Sequence, residues 1–188
     1  MIHKLRLLQN RCFSTVPVTA RNTKLFINGE FVKPAKGNTF TTINPHTEEV
    51  ITDVYEAGRE DVDRAVEVAR ETFEKGPWRR ASGSERANVM YKFADLLEKK
   101  RKELALLEAL DNGKPYWIAD FVDINFAIDL YRYCAGWADK IHGDTIPMTG
   151  DYFGYVKKEP VGVCAQIIPW NFPILMMALK LAPTFATG

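Results

Sequence analysis

The stretch Val161-Gly162-Val163-Cys164-Ala165-Gln166-Ile167-Ile168-Pro169-Trp170-Asn171-Phe172-Pro173 decides how this chain is read. Its first eight residues are almost wholly apolar, as expected of a strand covered on both faces in a parallel sheet. A tight turn between two prolines follows, and then a segment from about Pro173 to Ala186 expected to be helical. Buried strand, turn and helix form the first half of a βαβ unit, which a second parallel strand outside these residues would complete. The expected class is therefore α/β. Ligands of open α/β sheets collect at the carboxyl ends of strands, which places Asn171 at a candidate crevice. Its amide NH₂ is a neutral donor suited to a developing alkoxide, and loss of one such donor typically costs about 10²- to 10³-fold in rate. Pro169 and Pro173 restrict the backbone on either side. Asn is also a common helix cap, and residue chemistry alone leaves both roles open.

Working outward, Tyr152 to Lys158 and Thr145 to Met148 read as short strands joined by Thr149-Gly150-Asp151, a two-stranded arm. Before the arm, Pro115 to about Lys140 reads as one long helix rich in aromatics. An earlier helix carries Leu104, Leu107 and Leu110 and ends at Asn112-Gly113. Ser82 stands three residues before Glu85, a capping box that opens a helix burying Ala87, Met90, Phe93, Ala94 and Leu97. Val62, Ala65, Val66, Ala69 and Phe73 keep the spacing of one helical face. The turn Asn28-Gly29 between Leu25-Phe26-Ile27 and Glu30-Phe31-Val32 predicts a hairpin, and Thr39 to Ile43 with Val50 to Tyr55 predicts a second strand pair.

Composition excludes several classes. With 25 Lys plus Arg against 24 Asp plus Glu, the net charge of +1 offers no electrostatic case for nucleic acid or an acidic membrane surface. The most apolar stretch is broken by Pro169, Asn171, Pro173, Lys180 and Pro183, so it reads as core rather than as a membrane span. Three cysteines at irregular spacing, Cys12, Cys134 and Cys164, fit neither a disulfide framework nor a zinc site. Cys134 and Cys164 are expected to be buried structural thiols. No acidic residue occurs before Glu30, while Lys4, Arg6, Arg11, Arg21 and Lys24 are basic. Residues 1–20 therefore read as a mitochondrial transit peptide, with Arg11-Cys12-Phe13-Ser14 as a candidate cleavage region and the mitochondrial matrix as the destination.

Several separated blocks share one resemblance: Phe26-Ile27-Asn28-Gly29-Glu30, Pro77-Trp78-Arg79-Arg80, Leu110-Asp111-Asn112-Gly113-Lys114-Pro115, Ala135-Gly136-Trp137-Ala138-Asp139-Lys140, and Glu159-Pro160-Val161-Gly162-Val163 running into Gln166 to Pro173. In order and spacing, the stretch from Leu25 to Gly188 resembles the aldehyde dehydrogenase superfamily, most closely its mitochondrial and cytosolic NAD-dependent tetrameric members. The resemblance implies the amino-terminal part of that fold. Residues 21–142 would begin the cofactor-binding domain, 143–159 would form an oligomerisation arm, and 160–188 would supply the first βα unit of a Rossmann-type sheet.

It also implies a chemistry, in which a cysteine thiolate attacks an aldehyde, hydride passes to NAD, and a glutamate activates water to release a carboxylate. Asn171 matches the oxyanion donor. Ile167, Ile168, Pro169 and Trp170 match the segment lying against the dinucleotide. Phe172, Met176, Val122 and Phe126 match the lining of the aldehyde tunnel, which Leu179 would widen where relatives carry an aromatic. Thr42 and Asp111 match a monovalent cation site. The family's nucleophilic cysteine, its glutamate base, and the residues that hold the adenosine ribose and distinguish NAD from NADP are expected beyond Gly188. A second expectation belongs to another class: a catalytically silent product whose arm pairs with full-length subunits of a homo-oligomer.

Overall fold

A computed structural model describes residues 20–188. The expected leader and Cys12 therefore lie outside the described residues, apart from Ala20. Strands β1 (Leu25–Ile27) and β2 (Glu30–Val32) pair antiparallel with Ile27 opposite Glu30. Asn28 and Gly29 both sit at positive φ, 55° and 77°, the left-handed pair that a two-residue hairpin turn requires. Strands β3 (Thr39–Ile43) and β4 (Val50–Tyr55) form a second hairpin, with an irregularity between Thr42 and Ile43.

Six helices follow or frame the third strand pair. They are α1 (Arg59–Lys75), α2 (Gly83–Lys99), α3 (Arg101–Asn112), α4 (Tyr116–Ile118), α5 (Asn125–Trp137) and α6 (Pro173–Thr187). The capping box at α2 is made as expected: Glu85 N–H donates to Ser82 Oγ at 3.2 Å and Ser82 N–H donates to Glu85 Oε2 at 2.7 Å. Helix α3 stops where Gly113 takes φ 79°, packed so closely on Pro45 that a Cβ there would meet its Cγ at 2.6 Å. The core lies where α2, α5 and α6 pack together, and it is built largely of alanine. Ala94, Ala127, Ala178 and Ala182 are fully buried, small side chains that let helix backbones approach closely.

Apart from Phe93, expected inside α2's buried face but 37% exposed with its ring edge-on to Tyr131, four expectations need correction. The long helix from Pro115 is helical as far as Trp137 but not regular, because Ala119–Ile124 forms a π-helical segment between α4 and α5. Arg101 grips this wider turn, donating to Asp120 Oδ1 at 2.6 Å, to the Asp120 carbonyl at 2.9 Å and to Asn125 Oδ1 at 3.3 Å. On α3 the deepest residues are Ala105, Glu108 and Ala109 rather than the expected leucines, which are half-buried. On α1 only Asp61 is buried, and the apolar side holding Val62 and Val66 faces outward. Asp61 is occupied locally, accepting from the backbone N–H groups of Ala35 and Gly58 at 3.0 and 2.9 Å.

The fourth correction concerns the decisive stretch. Residues 161–168 carry no strand, and Val161 and Ile167 are each 95% exposed. A strand's backbone groups are satisfied by a neighbouring strand, and no strand among the described residues pairs with this stretch. Gly162 at φ 107° also departs from a regular β path. The arm is shorter than expected for a related reason, pairing only β5 (Thr145–Ile146) with β6 (Gly154–Tyr155) and leaving Tyr152 and Phe153 outside the ladder.

Candidate active site

The turn that follows this unpaired stretch is held from below by side chains of another element. Lys114, just past α3, points its Nζ at the Asn171 carbonyl at 3.0 Å. The same ammonium donates to Glu108 Oε1 at 3.0 Å and to Asp123 Oδ2, which uses all three of its donors. It also lies 4.3 Å from the centre of the Phe172 ring. Asn112 Nδ2 donates to the Trp170 carbonyl at 2.8 Å and, more weakly, to that of Asn171 at 3.4 Å. Ile174 N–H at the start of α6 donates to Glu108 Oε2 at 3.3 Å, a carboxylate at the positive end of a helix.

Two carboxyls and one ammonium, all nearly without solvent, make a polar knot inside an apolar core. The Glu108 and Asp123 side chains are 1% and 0% exposed, and that of Lys114 is 9%. Burial pushes the Glu108 carboxyl up to about 7, the hydrogen bond to Asp123 adds to the rise, and the Lys114 ammonium opposes it. Asp123 Oδ1 is buried without a hydrogen-bond partner among the described residues. The sequence held a signal for this knot that the reading above missed. Glu108 falls on the same helical face as Ala105 and Ala109, and a charged residue at an inward position requires a partner.

Asn171 itself is exposed, and its side chain makes no hydrogen bond to the described residues. Helix α6 begins with Phe172 in the capping position and Pro173 at its first turn, with no side-chain cap. The alternative role of helix cap is therefore not the one Asn171 plays. Beside it Trp170 is 83% exposed and Pro169 is exposed, while Ile168 is half-buried.

The expected tunnel residues are dispersed rather than enclosed. Met176, Phe172 and Val122 are half-buried, and Phe126 is 59% exposed. Leu179 is also exposed. Thr42 and Asp111 are brought together, lining one cavity of about 240 Å³ with Glu108, Leu104 and Ile174. Thr42 Oγ1 donates across its own hairpin to the Thr52 carbonyl at 3.0 Å. Of the thiols, Cys134 is buried and its pKa is raised by that burial, whereas Cys164 is exposed rather than buried as expected. The missing strand accounts for this, since nothing covers residue 164. No helix among the described residues is long and apolar enough to cross a membrane.

Comparisons with known proteins identify the family. The sequence pattern of the aldehyde dehydrogenase family matches residues 31–188. The mitochondrial aldehyde dehydrogenase of Rattus norvegicus is 51% identical over 189 residues, covering 97% of this chain and 36% of that protein. The human mitochondrial protein is 54% identical over 166 residues, covering 88% and 32%. Among solved structures, the NAD+ complex of an aldehyde dehydrogenase from Bacillus cereus superposes with a TM-score of 0.89 at 51% identity, covering 93% of this chain and 36% of the other. The chain thus spans about a third of the length of the relatives it matches. On sequence and on fold together, it belongs to the aldehyde dehydrogenase family.

Proposed function

We propose that this chain is the amino-terminal part of an NAD-dependent aldehyde dehydrogenase that oxidises an aldehyde to a carboxylate in the mitochondrial matrix. One observation carries the reading: Asn171 ends an uncovered apolar stretch with its amide unoccupied while its backbone is anchored from beneath. An amide in that position can donate to an oxygen that gains charge when a nucleophile adds to an aldehyde, without titrating itself. Such a donor acts best when it is aimed beforehand.

NAD supplies the hydride acceptor when bound. The fit of this chain to it rests on Ile167, Pro169 and Trp170, exposed beside the half-buried Ile168, an apolar stretch whose side chains are free to lie against a dinucleotide. Phe172, Met176, Val122 and Phe126 would take the aldehyde's apolar portion, and Thr42 and Asp111 offer oxygen ligands suited to a monovalent cation at their shared cavity. The arm at 143–159, with Tyr152 75% and Phe153 79% exposed, has the unpaired edges through which subunits of a homotetramer would join. The matrix location rests on the basic leader composition and on relatives named mitochondrial.

The test is steady-state kinetics on the full-length protein carrying these residues. It should form NADH only when an aldehyde is present. Asn171→Ala should lower turnover about 10²- to 10³-fold with dinucleotide affinity nearly unchanged. Equal losses in turnover and in cofactor binding would refute the role given to Asn171.

A further inference from the structure

The turn bearing Asn171 has a support that the proposed chemistry does not itself require. We propose that Asn112 and Lys114, the two side chains flanking Gly113, are positioning residues that aim the Asn171 amide by holding the Trp170 and Asn171 carbonyls. The inference rests on the oxyanion role given to Asn171 above.

Four observations support it. The carbonyls of residues 170 and 171 accept hydrogen bonds from these two side chains, which come from elements about 58 positions earlier in the chain. Gly113 at φ 79° reverses the backbone between them, so that Asn112 at the end of α3 and Lys114 beyond it both face the same turn. Pro45 closes over Gly113, leaving no room for a side chain that would shift this arrangement. Lys114, finally, has no freedom of its own. Its three donors are committed to Glu108, Asp123 and the Asn171 carbonyl, and the Phe172 ring lies beside it. Glu108 extends the same linkage to the first free N–H of α6, so one knot fixes the turn and the helix it feeds. A peptide unit pinned by its carbonyl resists rotation about its flanking bonds, which fixes the Cα–Cβ direction from which the Asn171 amide starts and narrows the positions it can reach.

A merely structural role predicts something different. If these side chains only stabilised the fold, their removal would act independently of Asn171. If they act through its amide, their effect should vanish once the amide is gone.

The experiment is a double-mutant cycle on the full-length protein. Asn112 is half-buried and its loss strands no buried charge, so Asn112→Ala is the first variant. The second neutralises the knot as a unit, Lys114→Met with Glu108→Gln and Asp123→Asn, so that no charge is left buried without a partner. Each should lower kcat about tenfold or more and leave dinucleotide Kd within about twofold. In an Asn171→Ala background, each should change kcat less than about twofold. Amide exchange at residues 170–172 should quicken in both variants while that of α2 stays unchanged. Losses that multiply with that of Asn171→Ala, or unaltered exchange at the turn, would overturn the proposal. If Asn171→Ala alone keeps full turnover, the oxyanion reading fails, and the exchange measurement still decides whether the two side chains hold the turn.

Discussion

The helices from Gly83 to Trp137 and the segment from 141 to 172 are about equally rich in apolar residues, yet they meet opposite fates. In the first region Ala94, Ile124, Ala127 and Tyr131 are almost without solvent. In the second Val161, Ile167, Trp170 and Phe153 are at least 79% exposed. A helix closes its own hydrogen bonds within four residues, so it needs neighbours only for its side chains. A strand's ladder belongs half to another segment, and hydrophobic character alone cannot supply it. In the second region the Trp170-Asn171 turn is held by side chains of the first.

This contrast can be broken by substitution, beginning with the largest effect. Ile124→Ala, at a fully buried position of the π segment, should cost about 2–5 kcal/mol, read as a lowered denaturation midpoint. A cost below about 1 kcal/mol would mean that the helical region is no better packed than the other.

The buried knot gives a pH signature. Glu108 in the folded state holds its proton up to about 7, whereas an unfolded carboxyl releases it near 4.5. Between those values the folded state binds more protons, so stability should fall as pH rises through the window. Glu108→Gln should flatten that slope, and a slope of unchanged steepness in this variant would assign it to other groups.

Ser82→Ala removes the cap of α2 and should cost about 1 kcal/mol by thermal melting. The smallest effect belongs to the uncovered stretch. Ile167→Thr should alter stability by less than about 0.5 kcal/mol where residue 167 stays exposed. A larger cost in a longer protein would report a strand packed over it, sharpening the comparison into a measurement of what covers residues 161–168.

Much of this was legible from residues alone, for reasons that differ by element. The Asn28-Gly29 hairpin, the Ser82–Glu85 capping box and the Gly113 stop depend on side chains no more than four positions apart, and each formed as read. The π segment was not legible, because it depends on Arg101 reaching Asp120 and Asn125 from the preceding helix. At the candidate site, Asn171 stood out through its prolines, while Glu108, Lys114 and Asp123 are scattered in sequence and meet only when α3 packs against the π segment and α6.

The sequence by itself determined the α/β class, the family and the local signals that open and close elements, such as the Asn28-Gly29 turn, the Ser82–Glu85 cap and the Gly113 stop. Tertiary structure decided which apolar faces are covered and what grips the turn before α6. Local hydrogen bonds and turn preferences are fixed within a few residues, whereas burial and charge pairing depend on which distant segments are brought to the same place.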